Sequence, residues 1–153
     1  VIRVAEAKVV MGRQMVPAGL ADTVVLGADT IIALDGKIIG KPIDAQHCQE
    51  LLAQLSGSTH QVLTAIALDV GGVIHQELSV NRVRFRKLEA CEIKRYCASE
   101  EPLDKAGGYA IQGKAAIFVE HLEGSYSSVM GLPLFETAKI LKLAGIDVLK
   151  HDS

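Results

Sequence analysis

The sequence predicts a mixed α/β (α+β) fold in which helices cover a central mixed sheet. Apolar runs of strand length alternate along the chain with segments that have helical apolar spacing. Two glycine-containing turns, Asp35-Gly36 and Gly71-Gly72, separate pairs of these runs, so some strands are expected to be antiparallel. With 153 residues, of which 49% are hydrophobic and 22% charged, the chain is expected to form a single domain over residues 1–153.

The first third of the chain is expected to contain two helices around a strand and a hairpin. A helical pattern covers Val1–Val10, and a buried strand follows at Val24–Ala28 and ends at Asp29-Thr30. The Asp35-Gly36 pair favours a type I′ turn between two short strands. Asp44 is a plausible N-cap for the second helix, which ends at Gly57 and carries apolar residues at Cys48, Leu51, Leu52 and Leu55.

A long antiparallel pair is expected in the middle of the chain. The nearly continuous apolar run Gln61–Leu68 predicts a central strand, and its partner extends from about Val73 to Arg86. The apolar alternation in that partner changes phase, which predicts a bulge near Asn81-Arg82. Three arginines then share one face, and they indicate either a solvated sheet face or, less simply, a nucleic-acid-binding stripe: Arg82, Arg84 and Arg86.

The last third is expected to hold a helix at Glu89–Ala98, a strand at Ala115–Leu122 and a final helix that Pro133 begins and Gly145 ends. The apolar spacing of that final helix places three residues inward: Leu134, Ala138 and Leu141.

Composition excludes several classes of protein. The net charge of −2 provides no general attraction to a nucleic acid polymer or an anionic membrane, and no apolar run is long enough to span a bilayer. Cys48 and Cys97 are interpreted as core thiols and Cys91 as the third cysteine of an odd set, so a reducing cytoplasm is expected. The five histidines, of which His151 is the last, lack the spacing of a zinc site.

The segment 104–114 combines an acid, two lysines, three glycines and an amide within eleven residues. Gly108 to Lys114 fits the phosphate-loop pattern G-x-x-x-x-G-K. Ala115, however, stands where that motif needs a hydroxyl, and the residues after it predict a strand instead of a helix. The segment is therefore expected to serve a phosphate ligand in another way.

Polar residues beside the predicted strands are candidates for phosphate chemistry. Asp29 could orient a water or hold a divalent cation, and Asp104 could supply a second metal-binding carboxylate. Lys41 and Lys105 could attract phosphate, and Gln112 could read a base edge. Each has a simpler alternative: a turn cap for Asp29, a surface lysine for Lys41, a surface ion pair for Asp104-Lys105, and a loop amide for Gln112.

Five blocks of sequence, in order and correctly spaced, closely resemble the Maf family. They are Leu26-Gly-Ala-Asp-Thr-Ile31, Gly40-Lys-Pro-Ile-Asp-Ala45, Leu55-Ser-Gly-Ser-Thr-His-Gln-Val-Leu-Thr-Ala65, Glu101-Pro-Leu-Asp-Lys-Ala-Gly-Gly-Tyr-Ala-Ile-Gln-Gly113 and Gly124-Ser-Tyr…Val129-Met-Gly-Leu-Pro133. The resemblance implies a Maf/ITPase-like fold with a substrate cleft. It implies a cytoplasmic, often dimeric nucleoside triphosphate pyrophosphatase that uses a divalent cation, Mg²⁺ or Mn²⁺. A link to septum formation and a housecleaning role against unwanted nucleotides come with the same family.

By position, the resemblance makes Asp29 the catalytic acid that accepts a proton, and Thr30 and Gln112 the residues that set substrate preference. Lys41, Asp104 and Lys105 match polar residues that line the family's site. The form of the block around Asp104 resembles the subgroup that acts on dTTP and UTP, not the one that prefers 7-methyl-GTP.

One departure from the family concerns its N-terminal strand and Ser/Arg-rich phosphate loop, which do not precede Val1 in this sequence. This departure predicts an N-terminally truncated chain with an exposed sheet edge and weak activity. A different class of function also stays open: a non-catalytic nucleotide-binding or division-associated interaction protein with the same fold.

Overall fold

The computed structural model describes residues 1–99 and 101–150, and His151 lies outside this part of the chain. Five helices and five strands follow one another within it, in the order α1 Ile2–Met15, β1 Val25–Leu34, β2 Lys37–Ile39, α2 Ala45–Leu55, β3 Thr59–Val70, β4 Val73–Phe85, α3 Ala90–Cys97, β5 Val119–Glu123, α4 Tyr126–Val129 and α5 Leu134–Leu143. Short 3₁₀ turns lie at Ala18–Leu20, Ala106–Gly108 and Lys114–Phe118. No helix in these residues is long and apolar enough to cross a membrane.

The five strands form one sheet in the order β2-β1-β3-β4-β5, and β3 lies at its centre as predicted. The predicted class, helices covering a central sheet, is confirmed, although all four described strand pairings are antiparallel instead of mixed. The hairpin between β1 and β2 turns at Asp35 (φ 50°) and Gly36 (φ 77°), the two positive φ values that a type I′ turn requires.

Helices cover both faces of the sheet. On one face Ala5 and Val9 of α1 pack against Ala65 and Ala67 of β3. Because side chains alternate along a strand, the opposite face presents the neighbouring residues. These residues contact α5 through Ile66, Leu68 and Ile140, and they contact α2 and α3 in a larger core around Val62, Phe85 and Leu52.

The cap of α2 is the predicted one. The backbone N–H of His47 donates to Asp44 Oδ1 at 2.7 Å, and Gly57 follows the helix with φ 67°. Both signals are local, because a side-chain cap and a positive φ depend on residues within one turn.

Several predicted features are wrong in ways that tertiary packing explains. The strand of Val24–Ala28 does not end at Asp29-Thr30, because β1 continues through them to Leu34, paired with β3 at Asp29↔Ala65 and Thr30↔Thr64. Residues 115–118 belong to a 3₁₀ turn and only Val119 onward is strand. That turn forms because Ala115 and Phe118 are buried in the core.

The predicted bulge near Asn81-Arg82 is also wrong. The register between β3 and β4 is unbroken from Thr59↔Arg84 to Val70↔Val73, and the one irregularity lies between Arg84 and Phe85 in the pairing with β5. The apolar pattern changes phase because Ser79 and Asn81 face inward while Leu78 and Val80 face outward.

Two further corrections concern the helices. In α5, Leu141 packs against the core as predicted, but Leu134 is 58% exposed, and Thr137 and Ile140 are the buried residues. Pro133 is the N-cap, so the helix begins one residue later than predicted. Cys48 of α2 and Cys97 of α3 form a disulfide instead of remaining free thiols. The packing of the two helices brings their Cα atoms to 5.8 Å, within the range that a disulfide spans.

Candidate active site

An open sheet edge borders a cavity that several polar side chains line. Strand β2 pairs only with Ile32 to Leu34 of β1, so β1 from Val25 to Ile31 has no strand on its outer side within the part of the chain that the structure describes. A cavity of about 260 Å³ lies beside this edge. The cavity is lined by both Asp29 and Thr30, which are neighbours on β1 and whose side chains therefore leave the strand on opposite faces.

All six residues predicted for the site line this one cavity: Asp29, Thr30, Lys41, Asp104, Lys105 and Gln112. They come from β1, from the loop before α2 and from the segment after α3, which lie far apart in sequence. Three lysines and two aspartates line the cavity, so its wall carries one excess positive charge, which favours an anionic ligand.

Asp29 is held by a lysine from α1. Lys8 Nζ donates to Asp29 Oδ1 at 2.9 Å and to the backbone carbonyl of Ala28 at 2.7 Å. The Asp29 side chain is 18% exposed, whereas that of Lys8 is 51% exposed. The carboxylate is therefore held in one orientation by a lysine whose own side chain is half exposed.

The second carboxylate of the cavity also has a lysine partner. Lys105 Nζ lies 2.5 Å from Asp104 Oδ1, and this hydrogen bond lowers the pKa of the Asp104 carboxyl. The pair is exposed, as the surface-pair alternative supposed, but it lies on the cavity wall. No hydrogen bond from the Lys41 side chain to another residue occurs in the described parts of the chain, so its ammonium is available to a ligand.

Two loops of the cavity are joined by their backbones. The N–H of Gly107 donates to the carbonyl of Gly40 at 2.9 Å, which fixes Lys41 relative to Lys105. Gly107 has φ 68°, and a Cβ there would collide with the side chain of Ile32. A glycine is therefore required for the two loops to meet at this point.

A partly buried carboxylate anchors the predicted ligand segment from behind. Glu101 accepts hydrogen bonds from the backbone N–H of Lys114 at 3.0 Å and from Tyr96 Oη at 3.0 Å, with a longer one from Ala115 N–H. Burial raises the pKa of Glu101, but these hydrogen bonds together outweigh it, so the net pKa is lowered. A Cβ on Gly113 would overlap the carboxylate, so this glycine serves close approach to Glu101.

This anchor also excludes the phosphate-loop interpretation. The backbone N–H of Lys114 faces Glu101, a 3₁₀ turn follows in place of a helix, and Lys114 does not line the cavity among the described residues. Gln112 does line it, is exposed, and makes no side-chain hydrogen bond to another described residue, so its amide is free to meet a ligand.

The donor set fits a divalent cation only in combination with a ligand. No group of three or more His, Cys, Asp or Glu side chains with metal-binding geometry occurs in the described residues. Asp29 and Asp104 nevertheless both line the cavity, and Mg²⁺ is commonly held by one or two carboxylates together with substrate phosphates and waters.

The arginine stripe of β4 is neutralised locally, which agrees with the solvated-face interpretation. Arg82 lies 3.8 Å from Glu123, and Arg84 lies 2.8 Å from Glu120. Arg86 lies 2.7 Å from Glu92.

Sequence reasoning did not identify Lys8 or Glu101 as parts of this arrangement, nor Thr64, whose hydroxyl oxygen lies 2.9 Å from that of Thr30. The signal for Lys8 was its place three residues after Ala5, which puts both on the face of α1 that meets the sheet. Thr64 and Glu101 gave no local signal, since their roles arise from residues distant in sequence.

Comparison with known proteins shows which family this chain belongs to. The model of the family described as "Maf-like protein" matches residues 1–144. A protein of Alkalilimnicola ehrlichii named "dTTP/UTP pyrophosphatase" is 58% identical over 83% of this chain and 62% of its own length. Proteins with the same name from Methylococcus capsulatus and Nitrosospira multiformis are 54% and 48% identical over 94% and 97% of this chain, and over 70% and 72% of their own lengths. The chain thus spans under two thirds of the first relative's length, and it belongs to the Maf-like protein family.

Proposed function

We propose that this protein is a nucleoside triphosphate pyrophosphatase that hydrolyses dTTP and UTP to the monophosphate and pyrophosphate. The observation that carries the proposal is the single cavity in which a held carboxylate, three lysines and a free amide come together. The name "dTTP/UTP pyrophosphatase" that the relatives carry supports the same substrate class.

In this proposal Asp29 is the general base. Its carboxylate takes a proton from a water that attacks the α-phosphorus, the bond from that phosphorus to the bridging oxygen breaks, and pyrophosphate leaves with the bond's electrons. Lys8 keeps Asp29 oriented through the 2.9 Å ion pair. An oriented base within reach of its water typically contributes a factor of about 10² to 10⁴ in rate.

The lysines hold the phosphates. Lys41 and Lys105 lie on loops that the bond from Gly107 to Gly40 joins, so they approach a triphosphate as one unit. Positive charge fixed before the reaction stabilises the negative charge that develops on the leaving pyrophosphate. Asp29 and Asp104 would hold the divalent cation, Mg²⁺ or Mn²⁺, which when bound neutralises charge on the phosphate oxygens.

Thr30 and Gln112, which line the same cavity, meet the base in this proposal. Both side chains carry hydrogen-bonding groups, and a site built on such groups rejects bases that leave them unpaired. The proposal assigns pyrimidine preference to these two residues.

The test is hydrolysis of a panel of nucleoside triphosphates with Mg²⁺ or Mn²⁺, with pyrophosphate and orthophosphate release measured separately. We expect pyrophosphate from dTTP and UTP, and a loss of at least about 100-fold in kcat for Asp29→Asn. Asp35→Asn is the matched control, because Asp35 sits at the end of the same strand, in the hairpin turn, where asparagine tolerates its positive φ.

Other outcomes would reject the proposal. Orthophosphate release from ATP would indicate an ATPase instead. Nucleotide binding without turnover, unchanged by Asp29→Asn, would favour the non-catalytic binding protein. A homodimer and a cytoplasmic location are part of the proposal, and sedimentation analysis and fractionation test them. The disulfide between Cys48 and Cys97 removes the support that free thiols lent to a reducing compartment.

A further inference from the structure

A buried polar network lies behind one wall of the cavity. Thr30 lines the cavity, and Thr64, directly opposite it in the register of β1 and β3, is fully buried. Their hydroxyl oxygens are 2.9 Å apart, so one of the two donates a hydrogen bond to the other.

The direction of that hydrogen bond follows from the next contact. Thr64 Oγ1 lies 2.8 Å from the backbone carbonyl oxygen of Ser128, and a carbonyl oxygen only accepts. A threonine hydroxyl has one hydrogen, so that of Thr64 is committed to Ser128. Thr30 must therefore donate its own hydrogen to Thr64, and its oxygen presents only lone pairs to the cavity.

The accepting carbonyl is itself held in place. Asn81 Nδ2 donates to Ser128 Oγ at 2.8 Å, and Asn81 Oδ1 accepts from the backbone N–H of Ser125 at 2.7 Å. Asn81 and Ser128 are both buried, so breaking any link would leave a buried polar group without a partner. The network thus keeps the hydroxyl oxygen of Thr30 as a hydrogen-bond acceptor toward the cavity.

Gln112 behaves differently. Its amide offers an acceptor and a donor, and the exposed side chain makes no hydrogen bond within the described residues that would fix which atom faces the cavity. A rotation of the amide can match either the carbonyl of uracil or the amino group of cytosine. Gln112 alone cannot separate these bases.

We propose that Thr64 is a positioning residue for base recognition, because it makes Thr30 an obligate acceptor. The inference rests on the proposed function. An acceptor at Thr30 selects bases in which the ring nitrogen that faces it carries a hydrogen, as the imide N–H of uracil and thymine does. It disfavours cytosine, whose corresponding nitrogen is an acceptor and would face the lone pairs of Thr30. One mismatched hydrogen bond of this kind is worth about tenfold or more in kcat/KM.

The test compares Thr64→Val with Thr64→Ser. Valine keeps the shape but removes the hydroxyl, so the Thr30 hydrogen can turn toward the cavity. We expect the ratio of kcat/KM for UTP over CTP to fall about tenfold in Thr64→Val and to stay near the wild-type ratio in Thr64→Ser. Calorimetric binding of UMP and CMP should show the same change without any turnover.

Three results would overturn the inference. They are an unchanged ratio in folded Thr64→Val, the same loss in Thr64→Ser, and equal binding of UMP and CMP by the wild type. Should Thr64→Val fail to fold, Thr30→Val removes the acceptor itself and must lower the ratio as well. Absence of any pyrimidine triphosphate hydrolysis would instead reject the proposed function, and the monophosphate binding would still test the role of Thr64.

Discussion

Acidification should destabilise this protein through one buried histidine. His60 on β3 is 1% exposed and packs edge-on against Phe85 and Tyr109. Its Nε2 lies 2.7 Å from Tyr109 Oη, whereas its Nδ1 has no hydrogen-bond partner in the described parts of the chain. Burial lowers the pKa of His60 from 6.5 to about 4, so the folded protein keeps the ring neutral at physiological pH.

The sign and size of the change in stability follow from the difference between the pKa of His60 in the unfolded chain and in the folded protein. Below pH 6.5 the unfolded chain takes up a proton on His60 that the folded protein does not bind until about pH 4. Stability is therefore fully present above the unfolded pKa and is lost as the pH falls. At about 1.4 kcal/mol per pH unit, the free energy of unfolding decreases by about 2 kcal/mol by pH 5 and about 3 kcal/mol in all.

Urea denaturation of the wild type and of His60→Gln, at neutral pH and at about pH 5, measures the contribution of His60 to the free energy of unfolding. Carboxylates that titrate over the same range are common to both proteins, so they cancel in the difference between the two free energies. We expect that difference to change by about 2 kcal/mol, in favour of the variant, on acidification. His121→Gln is the control at an exposed position and should follow the wild type. A change of less than about 0.5 kcal/mol would refute the assignment to His60.

Two further predictions concern the elements behind the cavity. Glu101→Gln should lower the free energy of unfolding by about 2 kcal/mol, because the hydrogen bonds to a partly buried charge lose that charge. Glu120→Gln on the surface should change it by under about 0.5 kcal/mol. Equal losses in urea denaturation would contradict the anchoring role. Cys48→Ser should cost about 4 kcal/mol under oxidising conditions, the entropy of the loop that its 49-residue separation from Cys97 closes. Reductant should remove the difference in free energy of unfolding between the wild type and Cys48→Ser. Cys91→Ser, at the exposed free cysteine, should show no loss of stability. Titration of three thiols in the unreduced protein would mean that the disulfide is absent.

The features that the sequence predicted correctly depend on short-range interactions. The type I′ turn at Asp35-Gly36 and the Asp44 cap each involve residues within one turn of each other. The residues that line the cavity were selected through spaced motifs that resemble a family, since no local pattern places Asp29 near Asp104. Their common cavity is observed, and the chemical roles given to them stay predictions.

The features that were predicted wrongly depend on contacts between distant segments. Strand β1 passes through Asp29 and Thr30 because β3 pairs with both, and a polar residue in a strand is tolerated where one side opens to a cavity. The disulfide depends on how α2 and α3 pack, which the odd number of cysteines does not reveal. The spacing of apolar residues indicates which side chains are buried. It does not indicate where a strand ends or which distant residue a side chain will contact.

Strand β4 carries polar residues on its inward face and apolar residues on its outward face, and this arrangement is connected to the cavity. Leu78 and Val80 are 39% and 51% exposed, while Ser79 and Asn81 occupy the inward positions that apolar residues should hold. A fold built only for stability would place the leucine and valine inside. Asn81 instead forms hydrogen bonds with Ser125 and Ser128. The backbone carbonyl of Ser128 accepts the hydroxyl hydrogen of Thr64, so Thr30 must donate its own hydrogen to Thr64. The inverted pattern on β4 is thus explained by the cavity wall that it supports, two strands away on β1.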